Sequence, residues 1–373
     1  MNKAYKFRLY PTKEQKEYFM KCFGCCRFIY NIMLEDKINY YEKEKKMLLN
    51  TPAMYKNRYE WLKEVDSLAL SNVQRALEKA YKNFFRKQKV GYPKFKSKHH
   101  SRRSYTTNNQ KGTIWIQKGQ LKVPKLKSTI KVKQHRAISI NESIKSATIS
   151  QTKTGKFYVS ILVAYERSNK AFDCMKHLSG REPVKIIGLD FSMKELYVTS
   201  HGDKASYPRY YRQSLKKLKR EQRKLSFCKK GSKNKEKQRL KVAKIHEKIS
   251  NQRKDFQHKQ SRQITNAVDV VVIESLDLKS MSQTFGQGVY DNGYRTFVEY
   301  LAYKLKEEGK QLVKIDKWYP SSKTCSQCGV VKPTLSLSTR TYACACGYVE
   351  DRDINAGINI RREGIRMLLS AVS

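Results

Sequence analysis

Acidic residues are scarce in this chain: 33 Asp and Glu face 78 Lys and Arg, a formal charge of +45 over 373 residues. A protein so far from neutrality repels itself unless a polyanion neutralises it. DNA or RNA suits that need best, because each neutralised phosphate releases a condensed counterion. A membrane surface or a ribosome are the other users of such charge. Long apolar runs are also missing, with none approaching the ~18 residues that span a bilayer. The opening stretch from Met1 to Gln15 alternates like a strand and lacks the apolar core of a secretion signal. No disulfide framework is visible among the nine cysteines. These absences predict a soluble intracellular protein with no membrane partner.

Local patterns divide the chain. Lys3, Tyr5, Phe7 and Leu9 alternate with Ala4, Lys6 and Arg8, which predicts a short strand. Thr12 with Gln15 forms a capping-box start, and helical periodicity then runs to about Lys46. Cys22, Cys25 and Cys26 fall in that periodicity and read as small thiols on a buried helix face. A second amphipathic helix carries Leu70, Val73, Leu77 and Phe84, with Arg75, Lys79, Lys82 and Arg86 on its other face. Residues 11–90 therefore read as a helical domain. Residues 92–111, basic and rich in Ser, Thr and Asn, read as a phosphate-touching loop in which Lys94 and Lys96 are contact candidates. Beyond it, Ile114 to Ile116, Leu121 to Val123 and a hairpin from Ala147 to Tyr165 predict an antiparallel β-domain. That domain takes in the N-terminal strand and is followed by a linker near 166–182.

The remainder reads as α/β. Val184 to Asp190 and Val270 to Glu274 are expected to be apolar strands that each end in an acid, and the second is a continuous apolar run, as in a strand buried on both faces. Between them, residues 209–262 hold 21 Lys and Arg against 4 Asp and Glu, with leucines and isoleucines at helical spacing on either side of Gly231. That predicts a basic helical hairpin; Lys216, Lys217, Lys219, Arg220, Arg223, Lys224 and Arg253 are its candidate nucleic-acid contacts. A helix from Tyr294 to Glu308, stopping at Gly309, and a strand from Gln311 to Ile315 lead into the cysteine region.

Two constellations carry chemistry. Working groups gather at strand carboxyl ends in open α/β sheets. Asp190, Glu274 and a third acid from Asp351-Arg-Asp353 at a helix start could share two Mg²⁺ ions for in-line phosphodiester hydrolysis. Taken singly, each acid could instead cap a turn, pair with a lysine or favour a helix N-terminus. Cys325-x-x-Cys328-Gly and Cys344-x-Cys346-Gly have the spacing of zinc knuckles, with no histidine nearby. An all-thiolate set with no open position makes that zinc structural. The other five cysteines (Cys22, Cys25, Cys26, Cys174 and Cys228) read as ordinary residues in a reducing compartment.

Together these residues resemble the TnpB (OrfB) family of bacterial insertion sequences, relatives of the type V CRISPR effectors. The resemblance spans nearly the whole length. It rests on Ala4-Tyr-Lys-Phe-Arg-Leu-Tyr-Pro-Thr, Phe23-Gly-Cys-Cys-Arg-Phe-Ile-Tyr-Asn, Tyr92-Pro-Lys-Phe-Lys and Gly188-Leu-Asp-Phe-Ser. It continues through Asn251-Gln-Arg-Lys-Asp-Phe, Val272-Ile-Glu-Ser-Leu, Ser322-Lys-Thr-Cys-Ser-Gln-Cys-Gly and Asp351-Arg-Asp-Ile-Asn-Ala. The chain departs from the pattern at Phe191-Ser192, at the C-x-C knuckle and at Gly357, where alanine is usual.

The resemblance implies a multidomain α+β architecture. Residues 1–10 and 91–182 would form a β-barrel-like WED domain and residues 11–90 a helical REC domain. Residues 183–319 and 349–373 would form an RNase H-like RuvC nuclease, with a zinc ribbon at 320–348. It further implies an RNA-guided DNA endonuclease of the bacterial cytoplasm and nucleoid. Such a protein binds a guide RNA from the transposon end and cuts double-stranded DNA beside a short transposon-adjacent motif; the sequence leaves its oligomeric state open, with a monomer favoured. The third metal ligand would be Asp353, with Asp351 the lesser candidate. Two rivals stand beside this reading: an RNA-guided binder with a decayed nuclease, and a transposase or transposase-accessory protein, since RNase H-like folds host strand transfer too. A plain RNA chaperone explains the charge but not the acids.

Overall fold

The computed structural model describes residues 2–86, 90–139, 142–165, 184–286, 291, 293–336 and 338–370. They fall into two compact units, within residues 1–167 and 168–373. The linker expected near 166–182, Cys174 included, lies outside the described residues. No helix among those described is long and apolar enough to cross a membrane.

In the first unit, β1 (Asn2–Tyr10) enters the middle of a seven-stranded antiparallel sheet. It pairs with β5 (Ile130–Lys133) on one side and β7 (Phe157–Tyr165) on the other. The remaining strands are β2 (Arg103–Asn108), β3 (Trp115–Gln117), β4 (Gln120–Lys122) and β6 (Glu142–Gln151), in the order β2-β6-β7-β1-β5-β4-β3. With β2 and β3 at the two ends, the described pairing is that of an open sheet rather than a closed ring.

Helices α1 (Lys13–Glu44), α2 (Pro52–Tyr55) and α3 (Ser67–Arg86) share a core with this sheet. The Phe19 ring of α1 lies 5.7 Å from Phe157 and 6.3 Å from Tyr105. The capping box of Thr12 and Gln15 is present. Cys22, Cys25 and Cys26 are buried in the same core, and burial pushes all three thiols up, Cys22 to about 12 and Cys25 to about 11.

One expectation fails here. Residues 103–108 are a strand, not part of a loop. Their Ser, Thr and Asn content hid a period of two, in which Tyr105 and Thr107 turn inward. Thr107 Oγ1 donates to buried Asp66, and Thr106 pairs with Thr148 at 2.8 Å on the other face.

The second unit is built on a four-stranded sheet, β11-β10-β8-β9. Its strands are β8 (Ile186–Ser192), β9 (Leu196–Thr199), β10 (Val270–Glu274) and β11 (Gln311–Ile315). β10 runs parallel to both neighbours, and its four apolar residues are fully buried, as a continuous apolar run requires. Between β9 and β10 stands the helical hairpin of α4 (Tyr210–Ser226) and α5 (Lys233–Ala267). Buried Leu218, Val242 and Ile249 hold it together, as does a bond of 2.8 Å from Gln238 Nε2 to Glu221 Oε2. Helix α6 (Leu278–Phe285) and α7 (Tyr294–Glu308, closed by left-handed Gly309) lead to β11. A two-stranded hairpin, β12 (Thr341–Ala343) with β13 (Val349–Asp351), precedes the last helix, α8 (Arg352–Ser370).

α8 crosses the sheet at backbone distance because glycines line the crossing. A Cβ on Gly188 would lie 2.2 Å from the Gly357 carbonyl oxygen and 2.7 Å from Arg361 N; one on Gly364 would lie 2.4 Å from Val272. At Gly188 the clash is with the helix backbone, which must itself move; at Gly364 it is with the buried Val272 side chain. Gly188→Ala should therefore cost about 2–3 kcal/mol in urea unfolding of the second unit, the upper range for overpacking. Gly24→Ala is the contrast: it lies in α1 of the first unit with nothing within 4 Å of the new methyl and should gain about 0.5–1 kcal/mol in the unfolding of that unit. A second unit that unfolds in Gly188→Ala at the wild-type urea concentration would contradict the close crossing.

Candidate active site and cysteine cluster

Asp190 lies inside β8 rather than at its end, because the strand continues to Ser192 against β9, with Asp190 opposite Val198. On its other side the pairing with β10 stops at Leu189 opposite Ile273. The next residues in step are Asp190 and Glu274. Positions in step on neighbouring parallel strands sit about 4.8 Å apart and face the same way. Asp353 comes from the first turn of α8, whose Gly357 rests on Thr199 and Ser200 at the end of β9. The strand order β10-β8-β9 therefore puts Asp190 in the middle.

Electrostatics agree. Burial first, then the negative charges of Glu274 and Asp353, hold the Asp190 carboxyl well above the usual carboxylate range, with Arg352 pulling the other way. Part of its surface still faces solvent, but protein atoms enclose it closely enough for burial to be the main cause. Burial also raises Glu274, against a hydrogen bond donated by Ser321 Oγ. Asp351 is engaged elsewhere. Its Oδ1 accepts from Asp353 N at 2.8 Å, capping α8, and its Oδ2 pairs with Lys204 Nζ at 2.9 Å.

The three acids do not crowd to a single point. Among the described residues, the group of three or more ligand atoms within 4.8 Å of one another is the cysteine set. A single ion held by all three acids fits this spacing poorly. Carboxylates placed this way, Asp190 between Glu274 and Asp353, could hold divalent ions between neighbouring acids rather than one ion common to all three.

The four cysteines do converge. Cys325 Sγ lies 3.8 Å from Cys346 Sγ, and Cys328 Sγ lies 3.6 Å from Cys344 Sγ. Four sulfurs at ~2.3 Å around a tetrahedral ion are about 3.8 Å apart, so both knuckles, the tighter C-x-C included, fit such an ion. Gly329 (φ +79°) and Gly347 (φ +88°) close the two turns in the left-handed region, as the glycine after each pair predicts. Burial opposes ionisation of Cys325, but backbone N–H groups of Cys328 and Gln327 bring it down to about 6.

The residues joining the two constellations were not anticipated. Asn355 and Asn359 lie one turn apart on the buried face of α8. Asn355 donates to Thr324 O at 2.8 Å and accepts from Ser326 N at 2.9 Å; Asn359 donates to Ser321 O at 2.8 Å and to Thr324 O at 2.7 Å. Arg362 also donates to Ser326 O. The loop entering the first knuckle is thus clamped to α8, and its Ser321 reaches Glu274. The one available sequence signal was a pair of asparagines at helical spacing beside apolar neighbours.

Of the nucleic-acid candidates, Lys216, Lys217, Lys219, Arg220, Arg223, Lys224 and Lys94 are exposed. Arg220 and Lys224 lie 3.1 and 3.9 Å from Glu221. Two others turn inward. Arg253 Nη2 pairs at 3.3 Å with buried Asp291, and Lys96 sits 3.6 Å over the Tyr30 ring, its pKa lowered by burial. Both are held by the fold itself, for reasons that helix periodicity and charge counting do not carry.

Comparison with known proteins gives three family matches. A model described as "probable transposase" (OrfB of IS605) covers residues 160–284, a Cas12f1-like TNB domain model covers 294–360, and an OrfB helix-turn-helix model covers 1–46. Over that last span this chain has β1 and a single continuous helix, α1. The chain is 32% identical to a "putative RNA-guided DNA endonuclease" of Streptomyces pristinaespiralis, over 98% of this chain and 90% of that one. It is 28% identical to InsQ of Escherichia coli K12, named in the same words, over 98% and 93%. Among solved structures, Cas12f1 from a complex with sgRNA and target DNA superposes at a TM-score of 0.55 with 17% identity, covering 94% of this chain and 83% of that one. The fold is a multidomain α+β arrangement like that of type V effectors.

Proposed function

Because the chain belongs to the TnpB (OrfB) family of insertion-sequence proteins, we propose that it is an RNA-guided DNA endonuclease whose Asp190, Glu274 and Asp353 form a RuvC site for two Mg²⁺ ions. The observation that carries this reading is the placement of Asp190 in step with Glu274 and under the charge of Asp353. Divalent ions held there supply an activated water and stabilise the leaving oxygen. The protein's own part is to hold three acids on rigid elements: Asp190 in the middle, Glu274 oriented by Ser321, and Asp353 freed by Asp351, which takes over the helix cap.

Residues 183–319 and 349–373 are then the RuvC domain, and 320–348 a ribbon whose Cys325, Cys328, Cys344 and Cys346 hold one structural Zn²⁺. Residues 1–10 and 91–182 with 11–90 are the WED and REC parts. The partners are a guide RNA from the transposon end and double-stranded DNA, met in the bacterial cytoplasm at the nucleoid.

The test is cleavage by protein purified with its co-expressed RNA. Sequencing that RNA identifies the guide. Rewriting the guide should redirect cutting to a matched target beside the right adjacent motif, with 5′ phosphates on the products. Joined products would favour strand transfer, and binding without cutting would leave a guided binder.

The exposed cations of α4 make a separate prediction. Replacing Lys216, Lys217, Arg223 and Lys224 together by glutamate should weaken RNA or DNA binding by about tenfold or more. Each lost phosphate contact should reduce the slope of log K against log salt by about 0.7–0.9. An unchanged slope in titrations across salt would remove the hairpin from the interface.

A further inference from the structure

We propose that Trp318 is a stacking platform for an unpaired base of the strand being cut, one or two nucleotides from the scissile phosphate. The proposal rests on the nuclease reading above. Trp318 is 80% exposed, the most exposed aromatic ring among the described residues. Single exposed apolar side chains are ordinary, but this one is on a pinned turn. The Trp318 backbone N–H donates to Asp316 Oδ1 at 2.7 Å, Tyr319 N donates to Asp316 O at 3.3 Å, and Ser321 N donates to Tyr319 O at 2.8 Å. Tyr319 packs against the β10–β11–α8 core.

Both ends of this turn touch Glu274. Ile315 pairs with it across β10 and β11, and Ser321 Oγ donates to its carboxylate. Trp318 lies three residues from each end, so its Cα is within about 11 Å of both, the reach of three residues. The Lys317 ammonium sits over one face of the ring, 4.4 Å from its centroid. At 80% exposure, most of the remaining ring surface faces solvent.

An open aromatic face beside a cation, next to acids that act on a phosphodiester, matches a nucleotide: the ring takes the base and the lysine a phosphate. The base must be unpaired, because a base inside a duplex is already stacked on both sides. Trp318 is therefore a positioning residue that seats the melted strand before the acids act.

The test uses the full chain loaded with its RNA. Target binding is set by guide pairing, so Trp318→Ala should leave target affinity and Tm unchanged. Single-turnover cleavage should slow by roughly 5- to 150-fold, the value of one base–aromatic stack. Trp318→Phe should recover most of the rate. Trp318→Leu, which keeps apolar bulk without a π face, should not.

In a second measurement, 2-aminopurine is placed in turn at positions flanking the cut, with Ca²⁺ replacing Mg²⁺. Its fluorescence should be quenched by the wild type and by Trp318→Phe but not by Trp318→Ala. Wild-type cleavage and quenching in Trp318→Ala would overturn the proposal, as would full activity in Trp318→Leu. Quenching that depends on Trp318 in a wild-type complex that never cuts would uphold the base site and overturn the nuclease reading instead.

Discussion

Asp190→Asn should cut target DNA at least roughly a thousandfold more slowly than the wild type, because metal-held charge stabilisation is worth several kcal/mol and each 1.4 kcal/mol is tenfold in rate. RNA and target affinities should stay within about twofold, since neither depends on an enclosed carboxylate.

A second readout separates a metal-binding acid from a merely structural one. In the metal-free protein, burial and the charges of Glu274 and Asp353 keep the Asp190 carboxyl well above the usual carboxylate range. The unfolded chain gives up that proton at a lower pH than the folded chain does. Stability is therefore fully present below the ordinary carboxylate pKa and is lost as pH rises from there towards the raised folded value. Asparagine removes the penalty. In EDTA the variant should melt higher than the wild type at neutral pH, with the difference shrinking near pH 4. Adding Mg²⁺ should raise the wild-type Tm and leave the variant unmoved, as mass action on a lost site requires. A variant that still gains stability from Mg²⁺, or still cuts at normal rates, would place the metals elsewhere.

Much of this site was legible in the sequence because its strands announce themselves. Val270 to Glu274 is a continuous, β-branched apolar run that ends in an acid, the pattern of a strand buried on both faces. Gly309 stops α7 and the Thr12–Gln15 box starts α1, each by local chemistry that needs no tertiary partner. What stayed hidden depends on residues distant in the chain. Arg253 looks like any other cation of the hairpin until Asp291 is placed against it. Gly357 and Gly364 show their purpose only in the fold, where a Cβ on Gly357 would lie 3.0 Å from Ser200 N and one on Gly364 2.4 Å from Val272. Spacing left both Asp351 and Asp353 open as the third acid; the bonds to Lys204 and to the helix start are what set Asp351 apart. The strand at 103–108 was missed for the opposite reason, since its polar composition outweighed an alternation only six residues long.

Removing the zinc proposed for the four cysteines should then disable the distant carboxylates as well as the ribbon. A structural zinc binds small knuckles with about 10–16 kcal/mol, and named contacts link the loop it would order to the carboxylates. Cys325 is buried and continues into Ser326, which Asn355 and Arg362 hold to α8. Asn359 fixes the Ser321 and Thr324 carbonyls on the same loop, and the Ser321 hydroxyl orients Glu274. Cys325→Ser should abolish the one zinc per chain measured by elemental analysis and lower cleavage at least about tenfold, while RNA retention stays near wild type. Asn359→Ala should keep the zinc yet lose part of the activity, because it breaks the chain of contacts one link further on; two buried hydrogen bonds are worth about 1–3 kcal/mol. Cys228→Ser, outside the cluster, should change neither reading. Full cutting by zinc-free protein would mean that the carboxylates keep their positions without the ribbon, and the clamp between α8 and the knuckle would then be packing alone.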